Sequence, residues 1–201
     1  MWYNFSMSQK DLIQQLSGLV LETSKRNGFI WFYEVHLLPA VKSAEEILKL
    51  YPEADKNIVM PAVWLHDIAK ITQKDIEGFE DIHPVHHKEG AKMAAEILSD
   101  YRLSDGKTRM ITDCILKHRN SGEYKAEALE EKIVAAADTL SHFRSVFYLI
   151  HFKFHPNSTI AGMKEKQLAK MKRDWADLSL LPGVCKLAEN EFNVLEKLIK
   201  S

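Results

Sequence analysis

Residues that interrupt helices are scarce in this sequence. It has 8 glycines and 6 prolines in 201 residues, and most of them lie where a helix would begin or end. Cysteine is scarce as well, since Cys114 and Cys185 stand far apart and outside any metal-binding spacing. No disulfide framework is therefore indicated, and the cysteine usage leads us to expect a cytoplasmic protein.

Long apolar runs and a surplus of one charge are also lacking. No run approaches the roughly 18 residues of a membrane span, and residues 1–10 lack the basic and apolar segments of a signal peptide. Lysine and arginine number 27 against 28 aspartates and glutamates, which gives a formal net charge of -1 without any basic block. We therefore expect neither a membrane nor duplex nucleic acid as a partner. A nucleotide-sized substrate stays open.

The periodicity of the apolar residues predicts an all-α fold in a single domain over residues 1–201, with about seven to nine helices. Helices are predicted over 8–26, 32–50, 55–70, 84–101, 105–119, 126–154, 162–178 and 182–200, with a polar loop over 71–82. We expect the helices within 162–200 to pack on the rest, either capping a site or forming a dimer face.

Histidine is the unusual part of the composition, with nine residues, and several of them lie with aspartates on apolar helix faces. The strongest local pattern is His66-Asp67, inside an apolar stretch. The other candidates, each on a different predicted helix, are His36, His86, His118 and Asp138.

A buried histidine is often an ordinary core residue, but a buried ionised aspartate is costly unless it is paired or bound to a metal. No lysine or arginine lies on the same apolar stripe as Asp67 or Asp138. We therefore predict that one or two metal ions satisfy these groups. Imidazoles and carboxylates suit Fe, Mn, Ni, Co or Zn, and six ligands suffice for two ions bridged by one carboxylate.

The order of these residues resembles the HD superfamily of metal-dependent phosphohydrolases, over about residues 31–149. The resemblance implies an all-α fold and one ion held by His36, His66, Asp67 and Asp138. Binuclear members add two histidines, the first of them four residues before a small residue. This implies His86, which precedes Gly90 by four, and His118, with Asp67 as the bridging ligand; His87 is the alternative to His86.

The resemblance also implies cationic residues at the site. Family members often have His-Asp-Ile-Gly-Lys, so Lys70 is a candidate phosphate contact beside the catalytic Asp67, although Ala69 replaces the glycine here. A solvated lysine at a helix end is the alternative. Arg119 and Arg144 lie near ligands in sequence and are either further phosphate contacts or surface residues.

Two other sets of polar residues are given weaker roles. Glu80, Asp81 and His83 lie where a lid over the substrate would be placed, and an ordinary polar loop is the alternative. The remaining histidines of the helical region, His142, His151 and His155, are not expected to be ligands.

Three hypotheses about function follow. The first is a phosphohydrolase in which a metal-bound water attacks a phosphomonoester or phosphodiester of a nucleotide or other small metabolite. The second is a di-iron oxygenase of the same fold, since some relatives with six ligands cleave C–C or C–P bonds. The third is a non-catalytic metal-containing binding protein. Residues 117–122 lack the His-His-Glu…Gly-Tyr-Pro signature of the family branch that cleaves cyclic di-GMP, so we do not expect that activity. The sequence does not determine the oligomeric state, and a homodimer is one possibility.

Overall fold

Helices make up 75% of the computed structural model, which describes residues 9–75, 77, 80, 82–154 and 159–201. No strand occurs in these ranges. The all-α fold predicted from the periodicity is therefore confirmed. In chain order the helices are α1 (Gln9–Arg26), α2 (Ile30–Phe32), α3 (Leu38–Leu50), α4 (Lys56–Leu65), α5 (Ile68–Ile71), α6 (His86–Ser99), α7 (Asp105–Lys117), α8 (Leu129–Phe143), α9 (Phe147–Phe154), α10 (Ile160–Leu178) and α11 (Glu189–Lys200), with a π-helical turn at Tyr33–Leu37 and a 3-10 helix at Val184–Leu187.

Helix α4 is the centre of the core. Every residue from Ile58 to Leu65 is buried, which agrees with a helix that is apolar on all sides. Helices α1, α3, α7 and α8 surround it. The side chain of Asp55 caps its first turn by accepting a hydrogen bond from the Asn57 amide at 2.8 Å.

A turn at His66-Asp67 divides the helix that was predicted over 55–70. Helix α4 ends before this turn and the short helix α5 follows it. The prediction of one continuous helix is therefore wrong, and the difference matters because the turn redirects both side chains toward the end of α8.

A π-helical turn interrupts the helix that was predicted over 32–50. The amide of Leu38 donates to the carbonyl of Tyr33, five residues earlier. Pro39 explains the irregularity, because a proline has no N–H for the carbonyl four residues before it and its ring crowds that carbonyl. His36 lies within this turn, where the altered winding changes the direction of its side chain.

The remaining helix limits differ from the prediction by up to three residues, with two exceptions. The helix predicted over 182–200 begins only at Glu189, after a separate 3-10 helix at Val184–Leu187. The helix predicted over 126–154 is divided between α8 and α9, because the Ser145 hydroxyl bonds the Ser141 carbonyl and also accepts from the Phe147 amide. Helix α6 begins at His86, so Pro84 lies in the turn before it. Residues 77, 80 and 82 are helical within the predicted loop.

The C-terminal helices pack beside the metal-binding candidates. Helix α10 lies against α8, and α11 lies against both α10 and α8. In the C-terminal half of α10, the buried apolar residues are Met171 and Leu178. None of the helices in the described ranges is both long and apolar enough to cross a lipid bilayer.

Candidate metal centre

Five elements bring the predicted ligands to one place. His36 lies in the π-helical turn, His66 and Asp67 form the turn after α4, His86 begins α6, His118 directly follows α7, and Asp138 lies within α8. Their side chains converge in the core: the four histidines and Asp67 are 1–3% exposed. The chain has thus buried four imidazoles and the Asp67 carboxylate against each other, with the Asp138 side chain 15% exposed beside them.

Four of these residues form one cluster, which we call the Asp138 group: His36, His66, Asp138 and the Oδ2 atom of Asp67. The Nε2 atom of His36 is 3.0 Å from His66 Nε2, 3.2 Å from Asp67 Oδ2 and 3.1 Å from Asp138 Oδ1. The Nε2 atom of His66 is 3.7 Å from Asp67 Oδ2 and 3.6 Å from Asp138 Oδ1.

The opposite face of Asp67 meets a second cluster, which we call the His118 group: His86, His118 and the Oδ1 atom of Asp67. His86 Nε2 lies 3.2 Å from this oxygen and His118 Nε2 lies 3.8 Å from it, while the two nitrogens are 3.0 Å apart. Asp67 Oδ1 is buried and accepts no hydrogen bond from the described residues. The two oxygens of one carboxylate therefore face two separate sets of imidazoles.

Hydrogen bonds to backbone carbonyls fix which nitrogen of each imidazole carries the proton. The Nδ1 atoms of His66, His86 and His118 lie 2.7, 2.5 and 2.6 Å from the carbonyl oxygens three residues before them. Carbonyls only accept, so Nδ1 is protonated and Nε2 presents a lone pair. His36 follows the same rule, because the Ser141 hydroxyl donates to the Asp138 carbonyl and accepts from His36 Nδ1 at 2.9 Å.

Lone pairs and carboxylate oxygens thus face each other at about van der Waals contact, an arrangement that is repulsive unless a cation lies between them. The spacing fits a transition metal. Two ligand atoms, each about 2.1 Å from one ion, lie about 3.0 Å apart at right angles and about 3.6 Å apart at 120°. The distances within the Asp138 group run from 3.0 to 3.7 Å. The orphaned Asp67 Oδ1 supports the same conclusion for the His118 group.

The electrostatics keep both aspartates ionised. Burial by itself would raise the pKa of Asp67, but the charge of Lys70, helped by the neighbouring imidazoles, outweighs it, and the pKa lies well below its usual value. The pKa of Asp138 is likewise lowered, because the neighbouring imidazoles of His142, His36 and His66 favour its ionised form against the effect of burial.

Two of the imidazoles are held neutral, the form that binds metals. Burial lowers the pKa of His118 to about 4, against the opposing charges of Asp138 and Asp67. Burial and the nearby charge of Lys70 lower the pKa of His86. His66 differs: burial lowers its pKa, but Asp67 and Asp138 outweigh the burial and raise it.

Lys70 corrects one expectation from the sequence. No lysine or arginine was expected on the apolar stripe of Asp67 to neutralise it, but Lys70 Nζ lies 3.2 Å from Asp67 Oδ2, and the Lys70 side chain is 10% exposed. Lys70 follows Asp67 by three residues, which places the two side chains about one helical turn apart and on the same side. One ammonium group is thus available for two carboxylates, of which Asp67 is buried and Asp138 is partly buried.

Of the other candidates, the structure places Arg119 at the site, whereas Arg144 and His87 make contacts elsewhere. Arg119 lies beside the cavity at the site, where its guanidinium donates to the Pro84 carbonyl at 3.0 Å. Arg144 lies elsewhere and pairs with Glu46 at 2.9 Å. His87 is buried, but it packs against the Tyr124 ring and does not face Asp67, which its neighbour His86 does.

His142 is a site residue that sequence reasoning missed. Its Nε2 atom lies 3.6 Å from Asp138 Oδ1, and with His36 and Asp138 it forms a group able to hold a metal. The sequence did offer one indication: His142 follows Asp138 by four residues on the same predicted helix, so both side chains lie on one face. The side chains of His151 and His155 fall outside the described residues.

The predicted lid residues have mixed positions. His83 lies beside the cavity, and burial together with the charge of Lys70 lowers its pKa to about 4. Glu80 is exposed. Asp81 falls outside the described residues.

A cavity of about 480 Å³ opens beside both groups. His36, Asp67, His86, His118 and Asp138 form its floor. Its cationic lining residues are Lys70, Arg119, Lys125, Lys170 and Arg173. A small anionic molecule of drug-like size fits such a space.

Comparison with known proteins identifies the family of this chain. A family model described as the HD domain matches residues 33–142, more than half of the chain. The chain belongs to the HD domain family. The match includes every residue of the Asp138 group and the His118 group, whereas α10 lies beyond the HD domain match. No curated protein and no solved structure gave a significant match. HD domains are mostly metal-dependent hydrolases, and they bind divalent metals.

Proposed function

We propose that this HD domain protein is a metal-dependent phosphohydrolase acting on a phosphomonoester or phosphodiester of a nucleotide or another small metabolite. One observation carries the proposal: the two oxygens of Asp67 face two imidazole clusters at the floor of a cavity lined by cations. Such a donor set suits a pair of ions, and the cationic lining suits a phosphate ester.

The Asp138 group would hold one ion and the His118 group the other, with Asp67 bridging. Fe, Mn, Ni, Co and Zn all suit nitrogen and carboxylate ligands of this kind. Bound ions would supply a water of lowered pKa as nucleophile and neutralise the oxygens of the phosphate.

The chain's own residues would bind and orient the substrate. Lys70 is buried beside Asp67, where its ammonium group can contact a phosphate oxygen and stabilise the charge that develops there. Arg119 lies across the cavity and is anchored through the Pro84 carbonyl, which leaves the rest of its planar donor set for a second contact.

The size of the cavity limits the substrate. About 480 Å³ suits a mononucleotide or a phosphorylated metabolite of similar size, and Phe147 offers an aromatic ring at the cavity wall. A duplex would not reach the buried clusters, because His36, His66 and Asp67 are 1% exposed.

The test is a metal-dependent assay of phosphate release. We expect metal-loaded protein to hydrolyse members of a panel of nucleoside monophosphates, cyclic nucleotides and sugar phosphates. Asp67→Ala should lose both the metal and the activity. If that variant kept its metal content and its turnover, the proposal would be wrong. Consumption of O₂ by the reduced iron form, without phosphate release, would instead favour the oxygenase hypothesis.

A further inference from the structure

An aspartate–histidine pair joins the C-terminal helices to the metal centre. His142 lies in the last turn of α8, and Asp174 lies on α10, beyond the HD domain match. His142 Nδ1 is 3.0 Å from Asp174 Oδ2, and both residues are buried, at 6% and 7% exposure. The two clusters described above use neither of them.

The partners of Asp174 fix the tautomer of His142. Lys170 Nζ lies 2.8 and 3.1 Å from its two oxygens, and the Tyr148 hydroxyl donates to Oδ2 at 2.5 Å. The ammonium group of Lys170 beside both oxygens and the hydroxyl donor on Oδ2 favour the ionised carboxylate. An ionised carboxylate only accepts, so His142 Nδ1 must carry the proton.

Lys170 does not change this assignment. Its Nζ atom is also 3.3 Å from His142 Nδ1, but this is the longest of its three polar contacts here. An unprotonated Nδ1 would place a lone pair 3.0 Å from an ionised oxygen of Asp174, which is unfavourable. The lone pair of His142 is therefore on Nε2.

The Nε2 atom of His142 faces the Asp138 group. It is 3.6 Å from Asp138 Oδ1, which matches two ligands about 120° apart around one ion. Ligand atoms of His36, Asp138 and His142 all lie within 4.8 Å of one another. The imidazole is held in place between Phe147, at a ring distance of 3.9 Å, and His36, at 5.1 Å.

We propose that His142 is a further ligand of the ion held by the Asp138 group, and that Asp174 is the positioning residue that orients its imidazole. The proposal rests on the metal centre of the proposed function. Five atoms of the chain would then face the ion of the Asp138 group, against three for the ion of the His118 group. Positions open to substrate would lie mainly at the His118 group, and α10 would be part of the metal site.

Loading the full chain with Co(II) gives a direct test. Each imidazole bound to Co(II) through Nε2 has an exchangeable Nδ1 proton whose NMR signal is strongly shifted by the unpaired electrons. We expect five such signals in the fully loaded wild type. Four signals, with His142 absent from the shifted set, would overturn the proposal without any variant being needed.

His142→Phe is the matched variant, because it keeps an aromatic ring between Phe147 and His36 and removes only the nitrogens. It should lose one shifted signal and bind Co(II) at least about 10-fold more weakly in competition with a chelator. An unchanged signal count or affinity would contradict the proposal. His142→Gln serves the same purpose if the phenylalanine variant does not fold.

The positioning role is tested by Asp174→Asn, which keeps the shape and removes the charge. We expect the His142 proton signal to move and the affinity to fall about 10- to 100-fold, as for other carboxylates that orient metal-bound histidines. Asp177→Asn is the control, because Asp177 is on the same helix beside the cavity but bonds Asn120 instead of a histidine. Equal effects of both variants would mean a general charge effect and would overturn the positioning role.

His36→Ala separates this inference from the proposed function. Loss of Co(II) in His36→Ala together with normal binding in His142→Phe would overturn only the role of His142. Normal binding in both variants would overturn the metal centre itself.

Discussion

At the scale of single residues, Asp67 and Lys70 form the most informative pair. Lys70 is the cation nearest to the carboxylate that the two clusters share, with its ammonium 3.2 Å from Oδ2. In the absence of an ion it neutralises part of the charge of Asp67. With an ion present, the two positive charges repel each other, and the ammonium is available for an anion in the cavity.

Replacing Lys70 by Met therefore separates metal binding from turnover. We expect Lys70→Met to bind divalent ions at least as tightly as the wild type, because a repelling charge is gone. Phosphohydrolase kcat should fall about 10- to 100-fold, since a charge that stabilises the transition state is gone as well. Chelator competition and steady-state kinetics check the two parts, with the exposed Lys74→Met as the control. Loss of metal in Lys70→Met would contradict this assignment.

His118 gives a prediction about pH for the metal-free protein. Burial lowers its pKa in the fold to about 4, from an ordinary value of 6.5. Between these two pH values the unfolded chain binds a proton that the folded chain does not. The free energy of unfolding should therefore fall as the pH drops from 6.5 to 4, by up to about 1.4 kcal/mol per pH unit from this histidine.

His118→Asn should remove that contribution. Urea unfolding in the presence of a chelator, repeated across this pH range, should give a shallower pH dependence for the variant than for the wild type. Equal slopes in the two proteins would mean that His118 is not held neutral by the fold.

At the scale of helices, close contact between α6 and the His66-Asp67 turn is needed for the His118 group to form. Gly90 is the contact point, because a Cβ atom there would lie 3.2 Å from the His66 carbonyl oxygen and 3.6 Å from the Ile115 side chain. The first contact is closer than side chains normally make with backbone. Steric contact with the backbone of the turn thus explains why a small residue occupies the fourth position after His86.

Gly90→Val should push α6 away from the turn. We expect a loss of about 1–3 kcal/mol in the free energy of unfolding, together with weaker metal binding at the His118 group. Gly106→Val is the control, since it makes the same exchange in a helix at a position where a Cβ would meet nothing within 4 Å. If both variants lost the same stability, the contact at Gly90 would carry no special role.

The helical fold follows well from the sequence, whereas its irregular points do not. Apolar periodicity predicts α1, α7 and α10 to within two residues at nearly every end. It does not predict the turn at His66-Asp67, the π-helical turn or the break after α8, because apolar spacing is insensitive to local effects such as the ring of Pro39 and the hydroxyl of Ser145. Two of them, the turn at His66-Asp67 and the π-helical turn, carry His66, Asp67 and His36 of the site.

The composition of the site was predictable to a similar degree. The six residues named from the HD resemblance do converge, because their order and apolar context reflect the helices that carry them. His142 was missed because its significance depends on Asp174, which lies 32 residues away and on another helix. Lys70 was predicted at the site as a phosphate contact, but its ion pair with Asp67 was not predicted, although a spacing of three residues permits it.

At the scale of the whole molecule, the ions would connect parts of the chain that are far apart in sequence. The Asp138 group joins the π-helical turn, the turn after α4 and helix α8, and the His118 group adds α6 and α7. Binding to the folded state alone stabilises it by about 2.7 kcal/mol when free metal is at 100 times the dissociation constant. Metal removal should therefore lower the melting temperature and weaken the contact between these helices.

The number of ions per chain tests the central claim most directly. Elemental analysis of protein purified without chelator and without air should give two transition-metal ions per chain. We expect one ion in His118→Ala and none or almost none in Asp67→Ala, because Asp67 serves both groups. A wild-type protein that folds, keeps both clusters intact and yet binds no transition metal when it is offered would contradict the account.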